Sequence, residues 1–280
     1  MTANSDDRPL LVGATAADPG NVVTIWNAIR DWLNENGLPV EYALFSSYDA
    51  LCGALLRGEV DIAWNAPMAH AQTLLASGGT CRTLAMRDTD RDVATVIIAR
   101  TDSGIDTLAD LRGRRIALGL PTSTELRLLP VHHLRQAGID LERDCELVHL
   151  EPRRYPGGQR WVDDFMIFDA VLNGAADAGT IFEPWLEPLL ASADDRRTEL
   201  KVLWRSAPFC HCAFTGRPGL PANVADRFVR LLLSMDAAEP RVAEMMRLEH
   251  LKRWVPADEQ GWSDILDAIV SAGVEGVTFN

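Results

Sequence analysis

The chain has 280 residues, of which 47% are hydrophobic and 24% charged, which is ordinary for a soluble globular protein of one large domain or two smaller ones. Its formal net charge of −13 argues against a nucleic-acid partner, because a basic face is difficult to assemble within so acidic a chain. No apolar run approaches the ~20 residues that cross a bilayer, so no membrane span is expected.

Short apolar runs alternate with amphipathic helical patterns over the first hundred residues. In the first helical pattern, Val22, Ile25, Ile29 and Leu33 share one face, and Gly37 supplies the stop. The predicted strands are residues 9–15, 39–45, 60–66, 81–87 and 92–100, and the predicted helices are residues 21–37, 46–59 (with Ser47 as N-cap) and 67–79.

The same alternation continues after residue 100. The predicted strands are residues 114–119, 145–151, 176–182, 199–206 and 210–216, and the predicted helices are residues 107–113, 123–137, 163–174, 184–192, 221–235, 239–248 and 257–272. Strands that alternate with helices predict an α/β fold with mostly parallel sheets, in which loops at the carboxyl ends of the strands carry any ligand.

The pattern also predicts how the chain divides. If it makes two lobes, residues 1–100 and 205–280 form a discontinuous first lobe, and residues 101–204 form an inserted second lobe. The apolar strands "VATVIIAR" and "KVLWRS" flank the insertion and would cross between the lobes.

The five cysteines are irregularly spaced, which does not indicate a disulfide framework and favours a reduced compartment. Residues 210–212 read "CHC". In a strand, Cys210 and Cys212 would face one way and His211 the other, and structural zinc pairs usually follow a C-x₂₋₄-C spacing. The sequence therefore predicts no metal site and no cofactor.

The stretch "GLPTSTE", residues 119–125, joins a predicted strand to the helix at 123–137. Thr122, Ser123 and Thr124 place three hydroxyl groups at the start of that helix. One alternative is an N-cap, in which a hydroxyl accepts a hydrogen bond from a first-turn amide. The other is an oxyanion cradle, in which hydroxyls and free amides bind negative charge at the positive end of the helix dipole. Glu125 either completes a cap or repels an anion.

Three segments occur in an order that resembles one known family: "YDALCGALLRGEVDIAWNAPMAHAQ" (48–72), "DTLADLRGRRIALGLPTSTE" (106–125) and "FDAVLNGAADAG" (168–179). Together they are similar to the substrate-binding proteins of phosphonate, phosphite and phosphate ABC transporters, a branch of the type 2 periplasmic binding protein fold. The resemblance covers most of residues 9–235. It implies two α/β lobes, two crossing strands as a hinge, and a ligand captured in the cleft between the lobes.

The resemblance also implies site residues. Thr122, Ser123 and Thr124 match the family's anion-binding hydroxyl residues, and Tyr48 matches a tyrosine that hydrogen-bonds the ligand. The alternative for Tyr48 is a partly buried aromatic ring with its hydroxyl at the surface. A second family tyrosine corresponds to Val93 here, which is a departure from the pattern.

A further departure lies in "QRWVDDFM", where Asp163 or Asp164 stands in place of an expected histidine. A carboxylate beside a phosphonate is unfavourable, because like charges repel at short range. Family members that hold an aminoalkyl phosphonate use carboxylates for the amine, so Asp164 and Glu183 predict a zwitterionic or cationic ligand. The alternative is that the aspartates only cap the following helix.

Asn65 and His70 lie in "AWNAPMAHA", at a strand end and in the next helix, where they are predicted to face the ligand. His70 lies about one turn into that helix and would donate a hydrogen bond to an anion. The alternative is a surface histidine or one whose hydrogen bonds are satisfied in the core.

These patterns favour a small-molecule binding protein that takes a phosphonate-like oxyanion or zwitterion, with an ABC-transporter permease as a possible partner. Two alternatives remain open: a cytoplasmic enzyme on the same scaffold doing acid–base elimination or decarboxylation, and a cytoplasmic ligand sensor. The first residues lack a basic start followed by an apolar core, so the sequence as written predicts a cytoplasmic location, or a periplasmic one if a leader is missing.

Overall fold

The computed structural model describes residues 8–16, 20–154 and 160–273. It divides into two compact units. Unit 1 holds the described residues up to Arg91 and Cys210–Trp262, and unit 2 holds Asp92–Phe209 and the described residues from Ser263 onward. The first lobe was predicted to include both chain ends, residues 1 and 280, and these lie outside the described residues.

The secondary-structure elements are numbered along the chain. The strands are β1 (Leu10–Thr15), β2 (Val40–Phe45), β3 (Ile62–Asn65), β4 (Arg82–Thr83), β5 (Ala85–Arg87), β6 (Thr95–Arg100), β7 (Arg115–Ala117), β8 (Glu146–Leu147), β9 (Arg153–Arg154), β10 (Arg160–Trp161), β11 (Ala178–Phe182), β12 (Leu200–Arg205), β13 (Ala213–Gly216) and β14 (Trp254–Pro256). The helices are α1 (Val22–Glu35), α2 (Tyr48–Leu56), α3 (Pro67–Ala76), α4 (Leu129–Gln136), α5 (Leu141–Asp144), α6 (Asp164–Leu172), α7 (Leu186–Ser192), α8 (Ala222–Leu233), α9 (Pro240–Leu248) and α10 (Ser263–Ala272).

Unit 1 is built on a five-stranded sheet in the order β2-β1-β3-β13-β4. Strand β1 runs parallel to β2 and β3, and β13 runs antiparallel to β3 and β4. Helices cover both faces: apolar residues of α1, α8 and α9 form one core cluster, and those of α2 and α3 form another. Because both faces are covered, strand β3 is apolar on both sides, as its sequence "IAWN" indicates.

Unit 2 is built on a second five-stranded sheet, in the order β12-β6-β11-β7-β8. Strand β7 runs parallel to β11 and β8, whereas β6 runs antiparallel to β11 and β12. Core residues of α6 and α7 cover one face, and those of α4 and α5 cover the other. In the two five-stranded sheets, every antiparallel pair involves β6, β12 or β13. These are the strands next to the points where the chain passes between units, and no helical crossover joins them to their neighbours. The α/β class with mixed sheets is confirmed.

Three departures from the predicted elements affect the assignment of residues discussed below. The predicted strand 81–87 splits into β4, in the sheet, and β5, which pairs with β14 in a separate ribbon that the sequence analysis missed. The predicted strand 210–216 begins only at Ala213, so "CHC" lies outside it. The last helix begins at Ser263 and groups with unit 2, although residues 205–280 were predicted to belong together. It packs beside α4, where His133 Nε2 lies 3.4 Å from Asp264 Oδ2.

The chain passes from unit 1 to unit 2 between Arg91 and Asp92 and returns between Phe209 and Cys210. Next to these points, Val93 and Phe209 pair as an isolated antiparallel bridge. Within the described part of the chain, no helix has both the length and the apolar content required to cross a membrane.

Candidate functional site

The helix predicted from residue 123 begins with one π-helical turn, Thr124–Leu128, which continues into α4. Ser123 is its N-cap: the Ser123 Oγ accepts a hydrogen bond from the Leu126 amide at 3.1 Å. The Leu128 amide donates to the Ser123 carbonyl at 3.0 Å, five residues back, which defines the wider π geometry. The capping alternative for Ser123 is therefore realised, and its hydroxyl proton is left to donate elsewhere.

Pro130 explains why this turn is anchored to the sheet. Because proline has no N–H, it cannot donate to the carbonyl four residues back or to the one five residues back. Those two carbonyls, of Leu126 and Glu125, accept instead from the buried threonines of two strands. Thr180 Oγ1 donates to the Leu126 carbonyl at 2.7 Å, and Thr95 Oγ1 donates to the Glu125 carbonyl at 2.7 Å. The sequence analysis missed both threonines, and Pro130 was the signal.

The three predicted hydroxyl residues differ in their surroundings. Thr122 is exposed, whereas Ser123 and Thr124 are 6% and 2% exposed. Among the residues that the structure describes, neither the hydroxyl nor the amide of Thr124 has a hydrogen-bond partner, and the Glu125 amide has none. The helix start thus presents one hydroxyl and two amides without acceptors among the described residues, which is the requirement of the cradle alternative.

Gly119 lets the chain turn closely onto this helix start. A Cβ atom at this position would lie 2.6 Å from Leu126 Cβ and 3.2 Å from Ser123 Cβ. The Gly119 amide also donates to the Leu126 carbonyl at 3.1 Å. A larger residue would push the capped turn away from the end of β7, so this glycine sets the position of the hydroxyl groups.

The two aspartates of "QRWVDDFM" have different roles. Asp163 is the N-cap of α6, where its Oδ1 accepts from the Met166 amide at 2.9 Å. Asp164 Oδ1 accepts from the Phe182 amide at 2.7 Å. Burial raises the pKa of Asp164 to about 7, and the negative charges of Glu125 and Asp163 add to the effect, although the Phe182 amide opposes it. Asp164 therefore lies beside the helix start and exchanges its proton near neutral pH.

Glu183 follows β11 and is paired within its own unit. The Arg205 Nη2 donates to Glu183 Oε2 at 2.7 Å, in a two-bond pairing that also joins Arg205 Nε to Glu183 Oε1. This guanidinium already neutralises the carboxylate that was predicted to bind a ligand amine. Asp164 is the better placed of the two carboxylates for such a role.

Tyr48 begins α2, directly after its predicted N-cap. Ser47 Oγ accepts from the Ala50 amide at 3.2 Å, which confirms that cap. Burial raises the pKa of the Tyr48 phenol, and the charge of Cys212 adds to this, while a hydrogen bond with Thr15 and the charge of Arg87 oppose it. The phenol therefore keeps its proton at neutral pH and remains available as a hydrogen-bond donor.

Asn65 and His70 belong to an internal network of unit 1. Both are 0% exposed. His70 Nδ1 lies 2.7 Å from Thr215 Oγ1 and His70 Nε2 lies 3.2 Å from Thr83 Oγ1, while Asn65 Nδ2 donates to Thr215 Oγ1 at 3.1 Å. Burial lowers the pKa of His70 to about 3, so the ring is neutral. The hydrogen bonds of both residues are satisfied inside unit 1, which is the core alternative given above for His70.

In unit 2, Ser123, Thr124 and Glu125 form one helix start, and the charge of Glu125 acts on the carboxyl group of Asp164. Hydroxyl and amide donors at a helix start, beside a carboxyl group of variable protonation, suit a small anion or a zwitterion. Residues 12–262 match a family described as the periplasmic substrate-binding proteins of phosphonate ABC transporters. The chain belongs to this family.

Curated members of this phosphonate-transporter family resemble the chain at low identity. The chain is 21% identical over 237 residues to the probable ABC transporter phosphite binding protein PhnD1 of Prochlorococcus marinus. The aligned region covers 81% of this chain and 76% of that protein. The chain is 24% identical over 210 residues to the phosphate-import protein PhnD of Mycolicibacterium smegmatis. The aligned region covers 72% of this chain and 63% of that protein.

Solved structures of similar proteins confirm the predicted periplasmic-binding-protein fold. PhnD1 from Prochlorococcus marinus in complex with methylphosphonate superposes with a TM-score of 0.67 at 18% identity, covering 95% of this chain and 98% of that one. XAC2383 from Xanthomonas citri bound to ATP gives a TM-score of 0.72 at 20% identity, and the superposition covers 96% of this chain and 99% of that one.

Membership of the phosphonate-transporter family implies a small-molecule ligand and a transporter permease as partners. The family is periplasmic, whereas the sequence as written led to a cytoplasmic expectation.

Proposed function

We propose that the chain binds a phosphonate-like oxyanion or zwitterion without changing it chemically, and presents it to an ABC-transporter permease. The observation that supports this most directly is the helix start at Ser123. There Thr124 is only 2% exposed, and its hydroxyl makes no hydrogen bond with a described residue; the amides of Thr124 and Glu125 likewise have no acceptor among the described residues. Hydroxyl and amide donors of this kind at a helix start are available to a bound oxyanion.

Two physical effects favour an oxyanion here. The first-turn amides and the helix dipole stabilise a negative charge at the helix start. Each of these effects contributes about 0.3–1 kcal/mol when the charge is exposed to solvent and more when it is buried. Hydrogen bonds to a charged group are also stronger, at about 1.5–3 kcal/mol. Together these terms are large enough to give a specific site for a ligand as small as methylphosphonate.

Asp164 supports the zwitterion alternative. A protonated Asp164 tolerates an anion nearby and can donate a hydrogen bond to it, whereas an ionised Asp164 would pair with a ligand ammonium group. Since its pKa is about 7, either form is accessible at neutral pH. A simple phosphonate and an aminoalkyl phosphonate should therefore shift the protonation of Asp164 in opposite directions.

The first experiment is a thermal-shift and calorimetry screen. The panel is phosphate, phosphite, methylphosphonate, 2-aminoethylphosphonate, ATP and an aromatic carboxylate. A true ligand stabilises the native state by roughly 2.7 kcal/mol at a hundredfold excess over Kd. Mass spectrometry of the ligand after incubation tests the enzyme alternative: conversion to product, lost in Asp164→Asn, would replace binding by catalysis as the function.

Variants then locate the site. We expect Ser123→Ala and Thr124→Val each to weaken binding of the identified ligand by roughly 1–3 kcal/mol, because each removes a hydroxyl donor. Thr198→Val, an exposed threonine of unit 2, is the matched control and should bind like the parent. Calorimetry measures the affinities, and unchanged affinity in both variants would exclude this site. Tyr48→Phe tests the family match in unit 1 by itself, with the same expected loss of affinity.

We further propose that the chain works in the periplasm, the compartment of its family. Fractionation of cells that express the complete natural gene decides between this and the cytoplasmic location of the sensor alternative. A permease partner predicts that the chain, loaded with ligand, stimulates transport by its cognate membrane complex in vesicles, whereas a sensor would leave transport unchanged.

A further inference from the structure

A cluster of charged and nucleophilic side chains lies in unit 1 and does not belong to the helix start at Ser123. It consists of Asp90, His211 and Cys212, with Arg87 and Glu249 beside them. Cys212 Sγ lies 3.1 Å from His211 Nδ1, and the same nitrogen lies 3.2 Å from Asp90 Oδ1. An oxygen, a nitrogen and a sulfur therefore converge, and all three lie within 4.8 Å of one another.

The geometry points to a zinc site, and we propose that Asp90 Oδ1, His211 Nδ1 and Cys212 Sγ bind one Zn²⁺ ion. Bond lengths of about 2.0–2.2 Å to nitrogen and oxygen and about 2.3 Å to sulfur put tetrahedral ligands about 3.4 Å (N to O) and about 3.6 Å (N to S) apart. The observed separations of 3.2 and 3.1 Å are within a few tenths of an ångström of those values. The Asp90 oxygen and the Cys212 sulfur lie within 4.8 Å of each other, against about 3.6 Å for tetrahedral zinc ligands, so a small rearrangement of these side chains admits the ion.

The backbone around these ligands is already held in place. The His211 amide donates to the Asp90 carbonyl at 2.8 Å, and Trp262 Nε1 donates to the His211 carbonyl at 3.1 Å. Both backbone groups of His211 are thus fixed, which holds its main chain beside that of Asp90 before any ion arrives.

The charges of the cluster suit a divalent cation despite the nearby guanidinium. Arg87 donates to both oxygens of Asp90, at 2.6 and 2.9 Å, and to Glu249 at 3.1 Å. With a neutral imidazole and a thiolate, as metal ligands require, one guanidinium then faces three anionic groups. The two net negative charges match one Zn²⁺, and Arg87 orients the Asp90 carboxylate without occupying every lone pair of Oδ1.

The choice of zinc follows from the ligand types. Imidazole, thiolate and carboxylate together suit Zn²⁺ better than Mg²⁺ or Ca²⁺, which prefer oxygen ligands alone. Three protein ligands leave the fourth position to water or to an oxygen of another molecule. Cys212 is buried, but 18% of the His211 side chain is accessible, so an ion can enter on the side of the imidazole.

The sequence rule that argued against a metal at "CHC" assumed a strand through these residues. Strand β13 begins only at Ala213, so the alternation of side chains does not apply to residues 210–212. Cys212 and His211 consequently turn to the same point, and the third ligand, Asp90, comes from a turn more than a hundred residues earlier. No local motif could reveal that set.

The test uses the full chain without a histidine tag, freed of metal by a chelator, with no phosphonate present. Zn²⁺ is titrated against a chromophoric chelator, and Co²⁺ is added as a spectroscopic substitute. The parent should bind one Zn²⁺ per chain, gain thermal stability from it, and show the thiolate charge-transfer absorption with Co²⁺. Cys212→Ser and Asp90→Asn should bind Zn²⁺ at least about tenfold more weakly.

Cys145→Ser, which removes a thiol of unit 2, is the matched control and should bind zinc like the parent. Asp90→Asn also leaves Arg87 less well paired, so the melting curve of each metal-free variant is recorded to check folding. If Asp90→Asn does not fold, zinc binding by Cys212→Ser decides the test. Zinc binding that is absent in the parent, or undiminished in Cys212→Ser, would overturn the proposal. Neither result bears on phosphonate binding, which is measured separately.

Discussion

Asp164 shows how one residue responds to its surroundings. An aspartate in an unfolded chain has a pKa of about 3.9, whereas burial raises that of Asp164 to about 7 in the folded chain. Between these values the native state binds more protons than the unfolded state. Stability therefore falls as pH rises from about 4 to 7, and the loss is complete above the folded pKa.

We expect Asp164→Asn to relieve this loss. Asparagine keeps an oxygen that can accept from the Phe182 amide but carries no charge, so the variant should match the parent near pH 4.5 and exceed it by a few degrees in Tm at pH 8. Urea unfolding at both pH values measures the difference. Asp169→Asn, at an exposed position of the same helix, is the control. A stability difference that does not change with pH would contradict the account.

At the scale of elements, the π-helical turn is held by two strands rather than by its own helix. Thr95 of β6 and Thr180 of β11 supply the donors that Pro130 cannot supply. The two bonds are not equivalent, since the Leu126 carbonyl also accepts from the Gly119 amide, whereas no other donor to the Glu125 carbonyl occurs in the described part of the chain.

This difference predicts unequal effects. Thr95→Val should lower the free energy of unfolding by roughly 1–3 kcal/mol, because it leaves a buried carbonyl unpaired, and Thr180→Val should cost less. Pro130→Ala in the Thr95→Val background should restore part of the loss, because alanine returns an N–H to the helix. Urea unfolding of the parent, Thr95→Val, Pro130→Ala and the double variant measures the cycle, and Thr180→Val is measured beside them. Equal losses for the two threonines, with no rescue, would show that Pro130 is not the cause.

Over the whole molecule, the net charge of −13 opposes the approach of an anion. Salt screens that repulsion, so the association rate of a simple phosphonate should rise with ionic strength, by about two- to tenfold between ~10 and ~300 mM salt. A zwitterionic ligand has no net charge and should show little change. Stopped-flow measurement of both ligand types distinguishes them, and a rate for the anion that falls with salt would mean that local positive potential outweighs the overall charge.

The sequence by itself determined the alternation of strands and helices, the α/β class, the family and the Ser47 cap. These follow from local periodicity, from capping chemistry within three or four residues, and from the linear order of motifs. The hydroxyl run at 122–124 also marked a helix start directly, because helix termini leave amides that nearby side chains must satisfy or leave to a ligand.

Only the tertiary structure decided which polar residues are available. Asn65 and His70 bond to Thr215 of a strand far away along the chain, and Glu183 pairs with Arg205, so none of these partnerships has a local pattern. The same holds for the Asp90, His211 and Cys212 cluster, whose members meet because β13 starts later than its composition suggests. Partners that are distant in sequence decide burial, charge and protonation, and periodicity along the chain carries no record of them.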